Sequence, residues 1–162
     1  MTKITPCLWF DGNAEEAAEF YVTLLPDSRV TKVTRAPADY PAGKAGDALL
    51  VEFILGGRSF VGLNGGPEFK FTEAVSFQIQ TEDQEETDRL TNALSAVPEA
   101  EQCGWVKDRF GLSWQITPRA LTEGLADPDH ARSRRVFEVI HDMKRIDVAA
   151  IERACRGEPV QA

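Results

Sequence analysis

The chain has few of the residues that build metal sites or disulfide frameworks. Its 162 residues include three cysteines, Cys7, Cys103 and Cys155, and two histidines, His130 and His141. An odd number of cysteines without a C-x-x-C pair indicates neither a set of disulfides nor a zinc site, so reduced thiols are expected. Both histidines fall where the sequence predicts helices.

Positive charge and long apolar runs are also scarce. The formal net charge is −8, from 18 Lys and Arg against 26 Asp and Glu, which disfavours binding to a phosphate backbone. No apolar run approaches the roughly 18 residues of a membrane span, and the N-terminal residues lack the apolar stretch of a signal peptide. We therefore expect a cytoplasmic globular protein that binds neither nucleic acid nor membranes.

The predicted secondary structure of the first third of the chain repeats once. A strand (4–10), a helix capped by Asn13 and three strands (28–35, 48–55 and 58–63) are predicted in that order. After a shift of 70 residues a strand returns at 76–81. The sequence is therefore predicted to contain two related modules.

The second module is predicted to be one strand shorter than the first. Asp83 and Glu86 repeat the helix-cap spacing of Asn13 and Glu16, and a hairpin over residues 102–117 matches the earlier hairpin at 48–63. Little chain is left before this hairpin for a counterpart of the strand at 28–35. We assign residues 1–66 to the first module, 67–118 to the second and 119–162 to a helical tail, in one compact domain.

Three stretches resemble a known family: CLWFDGNAEEAAEFY (7–21), NGGPEFKFTEAVSFQIQTEDQEETDRL (64–90) and CGWVKDRFGLSWQITP (103–118). They are similar to the PhnB-like branch of the vicinal oxygen chelate superfamily, which includes glyoxalase I, bleomycin-resistance proteins and extradiol dioxygenases. Members of this branch are often named 3-demethylubiquinone-9 3-methyltransferase. The resemblance implies an α+β fold in which duplicated βαβββ modules form a curled sheet with a cleft, followed here by C-terminal helices.

The resemblance also implies where a metal would be held in active members. The ligand positions, on the first and last strands of each module, fall at Ile4 or Thr5, Gly62 or Asn64, Ser76 and Gln115. Of these, only Gln115 has a side chain known to serve in such sites. One amide oxygen holds a transition metal poorly, so we expect no metal and no other cofactor.

Seven residues are candidates for the lining of the cleft: Trp9, Glu52, Asn64, Ser76, Trp105, Asp108 and Gln115. Trp9 and Trp105 would act as aromatic walls. Trp114 alternates with Gln115 along a strand and is expected in the core. No Ser-His-Asp or Cys-His pattern is present, so no catalytic residue is assigned.

Three functions remain open. The first is binding of an unknown small molecule in the cleft without a catalytic metal. The second is an enzyme of the lyase, isomerase or oxygenase type with an unknown substrate, either metal-independent or using a weak metal at Gln115 and Glu52. The third is a dimeric scaffold. Methyl transfer is not expected, because the turn after Phe10 lacks the glycine-rich loop of a typical methyl-donor site.

A homodimer is expected for two reasons. The missing strand would leave a sheet edge unpaired, and the tail carries an apolar face that needs cover. That face consists of Val136, Phe137, Val139, Ile140 and Met143. The alternative is that the tail folds back over its own module and the chain is monomeric.

Overall fold

The computed structural model describes residues 3–159 and divides the chain into two compact units. The units are Met1–Phe71 and Thr72–Ala162, and each is built around one sheet. The α+β class and the duplicated modules predicted from the sequence are confirmed. No helix among the described residues has the length and apolar character needed to cross a membrane.

The first unit contains one helix and a four-stranded sheet. Its elements are β1 (Cys7–Phe10), α1 (Ala14–Tyr21), β2 (Arg29–Arg35), β3 (Ala48–Leu55) and β4 (Arg58–Asn64). The strand order is β1-β4-β3-β2, with β1 parallel to β4 and the other neighbours antiparallel. Along β1 and β3 the buried side chains largely alternate with partly exposed ones, so one side of the sheet forms the core.

Two local predictions for the first unit need correction. The first strand begins at Cys7 rather than at residue 4, because Pro6 has no N–H to donate and only its carbonyl oxygen pairs, with the N–H of Val61. Asn13 occupies the cap position of α1, but its side chain makes no capping hydrogen bond. The N–H of Ala14 donates instead to the side chain of Asn64, which lies 50 residues away in the chain.

The second unit contains a three-stranded sheet, as the shortened module predicts. Its elements are β5 (Ser76–Thr81), α2 (Gln84–Leu94), β6 (Trp105–Lys107) and β7 (Ser113–Pro118), in the strand order β5-β7-β6. A short 3₁₀ helix, Pro98–Ala100, stands between α2 and β6 where the first unit has a strand. Here the predicted cap forms, since Asp83 accepts a hydrogen bond from the N–H of Glu86.

The outer edge of β6 is paired within its own chain. The N–H of Trp105 donates to the carbonyl of Gln102 (2.8 Å), and the N–H of Gln102 donates back to the carbonyl of Trp105 (3.3 Å). The carbonyl of Lys107 accepts from the N–H of Ala96 (2.9 Å). The lost strand therefore does not leave a row of unpaired backbone groups, and one of the two reasons for expecting a dimer is removed.

The tail forms three helices that pack together within the second unit. They are α3 (Arg119–Leu125), α4 (His130–His141) and α5 (Val148–Arg156). Their shared core consists of Leu121, Val136, Ile146, Ile151 and Ala154, with Val139, Ile140 and Met143 packed against it. Phe137, which was predicted on the buried face, is 60% exposed. The buried stripe runs through positions 136, 139, 140 and 143. Phe137 follows Val136 by one residue along the helix, so its side chain points away from this stripe.

Hydrogen bonds join the turn between α4 and α5 to α2 and to the segment that precedes β6. The N–H of Cys103 donates to the carbonyl of Met143 (2.8 Å). Arg145 donates to both carboxylate oxygens of Glu101 (3.0 and 2.8 Å) and to the side chain of Asn92 (2.7 Å). The hydrogen bond from Arg145, aided by one from Ser95, lowers the pKa of the largely buried Glu101 to about 2.

Candidate functional site

The second sheet has one apolar side and one polar side. Phe77, Ile79, Trp114 and Ile116 point to the apolar side, and the alternate residues of the same strands point the other way. We call this second set the polar face; it consists of Ser76, Gln78, Gln80, Trp105, Lys107, Ser113, Gln115 and Thr117. Trp114 is 2% exposed, which confirms its predicted place in the core.

Gln115 lies at the centre of the polar face. Its Nε2 donates to the Oγ of Ser76 (2.8 Å), and Gln78 and Trp105 are its register partners on the two neighbouring strands. The structure thus brings together three of the seven candidates: Ser76, Trp105 and Gln115. The side-chain amides of Gln115 and Gln78 each donate one hydrogen bond to a hydroxyl, which restricts the orientation of both side chains.

Five residues of the polar face were not among the candidates: Gln78, Gln80, Lys107, Ser113 and Thr117. Gln78 donates from its Nε2 to the Oγ1 of Thr117 (3.0 Å). Lys107 forms an ion pair with Glu73, and the hydrogen bond from Lys107 is the main reason that the pKa of Glu73 is lowered. The signal available in the sequence was the two-residue period of β-strands. It places the side chains of residues 76 and 78 on the same side of β5, and those of 105 and 107 on the same side of β6.

Asp108 lies away from the polar face and organises the hairpin turn. It is 2% exposed. Its Oδ1 accepts hydrogen bonds from the N–H groups of Phe110 (2.9 Å) and Leu112 (3.0 Å), and its Oδ2 accepts from the indole N–H of Trp114 (2.8 Å). These contacts give the carboxylate a structural role in the turn.

The candidates of the first unit lie on opposite sides of their sheet. Asn64 is buried on the same side as its register partner Phe10. Its Oδ1 accepts from the N–H of Ala14 (2.9 Å) and its Nδ2 donates to the carbonyl of Ala48 (2.8 Å). Both functional groups of Asn64 therefore connect parts of the fold, whereas Trp9 and Glu52 lie on the other side of the sheet.

Trp9 is a fixed aromatic surface at the end of β1. Its indole N–H donates to the carbonyl of Gly66 (2.8 Å), and its ring meets that of Phe69 edge to face, with the centroids 4.9 Å apart. A Cβ at Gly65 would stand 2.3 Å from the Trp9 ring, so only glycine permits this approach. Phe69 is 58% exposed, which leaves the pair partly accessible.

Glu52 lines a shallow pocket of about 300 Å³ in the first unit. The other lining side chains include Thr5, Thr31, Ile54, Ser59 and Val61. The carboxylate of Glu52 stands 3.8 Å from the Nζ of Lys32, and both side chains are about half exposed. Glu52 is thus part of a solvated ion pair.

The residues present do not fit the metal site that the superfamily implies. Among residues 3–159, no group of three or more His, Cys, Asp and Glu side chains is arranged to hold a metal ion. The polar face offers amides, hydroxyls and one ammonium group, which are poor ligands for a divalent transition metal. Both histidines lie in α4.

A methyl-donor site of the doubly wound type does not fit either. Such a site needs a glycine-rich turn between a parallel strand and its helix. Here β1 leads into α1 through Asp11-Gly12-Asn13, and the strand beside β1 is the last of its module rather than the next parallel strand.

Comparison with known proteins gives the family. A sequence model described as 3-demethylubiquinone-9 3-methyltransferase matches residues 2–117. The chain belongs to this family. The expected PhnB-like assignment is confirmed, and the matched region ends where the helical tail begins. No curated protein is found to be similar to the chain.

Several solved structures are similar to this family member. A PhnB protein from Bacillus cereus is 32% identical, with a TM-score of 0.62 over 72% of this chain and 99% of that chain. Protein PA1353 from Pseudomonas aeruginosa shares the fold at 20% identity, with a TM-score of 0.55 over 73% of this chain and 98% of that chain. A glyoxylase/bleomycin resistance protein/dioxygenase domain from Frankia is matched at 16% identity and a TM-score of 0.42, over 73% and 92% of the two chains.

Proposed function

We propose that this PhnB-like protein binds a small molecule, that the polar face of the second sheet supplies the contacts, and that no catalytic metal takes part. Family membership supports the general class. The composition of the face supports the binding mode, because amides and hydroxyls recognise ligands by hydrogen bonds. Trp9, Glu52 and the pocket beside Glu52 are proposed as further contact surfaces in the first unit.

The proposal is based on the arrangement of side chains around Gln115. One N–H of its amide donates to the Oγ of Ser76, which orients the Oε1 of Gln115 as a possible acceptor of a hydrogen bond from a ligand. Trp105, paired in register with Gln115, is half-buried and provides an apolar surface beside it. A fixed acceptor next to an aromatic side chain is typical of a small-molecule site.

The proposal is tested by a thermal-shift screen of a small-molecule library. A one-site ligand at 100 times its Kd should stabilise the chain by about 2.7 kcal/mol. Gln115→Met, which keeps the side-chain length and removes the amide, should weaken binding of each hit about tenfold. Gln80→Met, at the far end of the same face, should weaken binding less, because the proposed site is centred on Gln115. If both variants bind the hits as the wild type does, the polar face is not the site.

Methyl transfer is not proposed for this chain despite the name of its family. The reason is the poor fit of β1 and its following turn to a methyl-donor site. Calorimetric titration with S-adenosylmethionine should show no binding. One site per chain with micromolar affinity would overturn this statement.

We also propose that the protein is a homodimer and is located in the cytoplasm. Three unpaired cysteines support a reducing compartment. The dimer rests on the family resemblance and on exposed apolar side chains such as Phe137, rather than on the edge of β6. Light scattering at micromolar concentration should give twice the 17.9 kDa chain mass, and a persistent monomer would contradict the dimer.

A further inference from the structure

Lys107 is the one ionisable side chain among the eight residues of the polar face, all of which belong to the described part of the chain. Its side chain is 26% exposed, and its ammonium group pairs with the carboxylate of Glu73. The polar face therefore contains a single positive charge whose present partner comes from outside the face.

The two members of this ion pair are held very differently. Lys107 belongs to β6 and is in register with Ser113 of β7. Glu73 lies in a turn before β5, outside any strand, and its side chain is 63% exposed. Glu73 can move away without breaking a strand-to-strand hydrogen bond, whereas the backbone of Lys107 is fixed. The anion of this pair is thus the replaceable member.

The neighbours of Lys107 indicate what would replace Glu73. Trp105 lies two residues earlier on the same face, and Gln115 is the register partner of Trp105. An aromatic ring beside Trp105 would place an attached anionic group within reach of Lys107. One lysine matches one negative charge, and the face has no second cation for a doubly charged phosphate.

We infer that Lys107 binds the carboxylate of an aromatic carboxylate ligand, which displaces Glu73 and places its ring beside Trp105. This inference rests on the proposed function, in which the polar face is the binding surface. Glu73 then acts as an internal competitor. In the free protein its carboxylate neutralises the charge of Lys107, and a ligand binds only if its own carboxylate displaces that of Glu73.

The test compares benzoate with its neutral analogue benzamide on three variants. Glu73→Gln removes the competitor and should tighten benzoate binding by up to about fivefold, the upper end of the range for an exposed ion pair. Lys107→Met should weaken benzoate binding about tenfold or more. Benzamide binding should change little in either variant. Glu68→Gln, an equal change of charge in an exposed residue of the preceding segment, is the matched control.

Titration calorimetry or ligand-observed NMR gives the dissociation constants, and circular dichroism checks that each variant is folded. Benzoate binding that is absent or no tighter in Glu73→Gln than in Glu68→Gln overturns the inference. If benzoate and benzamide bind equally to all variants and both depend on Gln115, the polar face binds ligands but Lys107 does not select carboxylates. If neither probe nor any library compound binds, the proposed function fails together with the inference.

Discussion

Glu101→Gln should destabilise the protein at neutral pH, because Glu101 joins the tail to the segment that precedes β6. The carboxylate accepts two hydrogen bonds from Arg145 and one from Ser95, which hold its pKa at about 2 in the folded chain. The pKa of a glutamate in an unfolded chain is about 4.5. The difference between these two pKa values corresponds to at most about 3–4 kcal/mol at pH 7. Arg145 is half exposed, so we expect a measured loss of about 1–2 kcal/mol.

The pH dependence gives the sign of the effect. The folded pKa of Glu101 is depressed, so its contribution is fully present above pH 4.5 and is lost as the pH falls towards 2. Urea unfolding of the wild type and Glu101→Gln should therefore show a difference at pH 7 that falls to roughly half by pH 3. Glu138→Gln, which breaks the exposed pair with Arg134, should cost much less than Glu101→Gln. Equal losses in both variants, or a difference that does not change with pH, would refute the role of Glu101.

Two further changes test single contacts. Gly104→Ala should cost about 2–3 kcal/mol in urea unfolding, because Gly104 has φ +83° and a Cβ there would stand 2.6 Å from the carbonyl oxygen of Ile116. Gly12→Ala, at φ +81° in open space, should cost only about 1 kcal/mol, and equal costs would contradict the close approach. Asp108→Asn should lower the free energy of unfolding by about 2–3 kcal/mol, because an amide N–H turned towards the indole N–H of Trp114 cannot accept its hydrogen bond. A loss below about 0.5 kcal/mol would show that the contact is unimportant.

Local patterns in the sequence were sufficient to predict most of the fold. The alternation along β5 and β7, the hairpins, and the cap formed by Asp83 all depend on residues close together in the chain. The cap at Asn13 could not be predicted reliably, because Asn64 supplies the hydrogen bond from another strand. The same limit applies to the tail, where Cys103 pairs with Met143 forty residues further along the chain.

The candidate site was predictable only in part. Gln115 and Ser76 follow from strand positions, and the structure places them in contact. Asp108 is a predicted cleft residue, but its spacing to Leu112 and Trp114 suits an aspartate that accepts hydrogen bonds from its own hairpin, as the structure shows. Lys107 was overlooked because a lysine on a short strand looks like an ordinary surface residue until its pairing and its neighbours are known.

The central claim, metal-independent binding of a small molecule on the polar face, is tested most directly by one calorimetric titration. The strongest hit of the library screen is titrated into protein purified without a histidine tag, once in plain buffer and once in excess EDTA. We predict one site per chain and the same dissociation constant in both titrations. Binding that disappears in EDTA and returns with one equivalent of zinc, manganese, nickel or iron would contradict the claim.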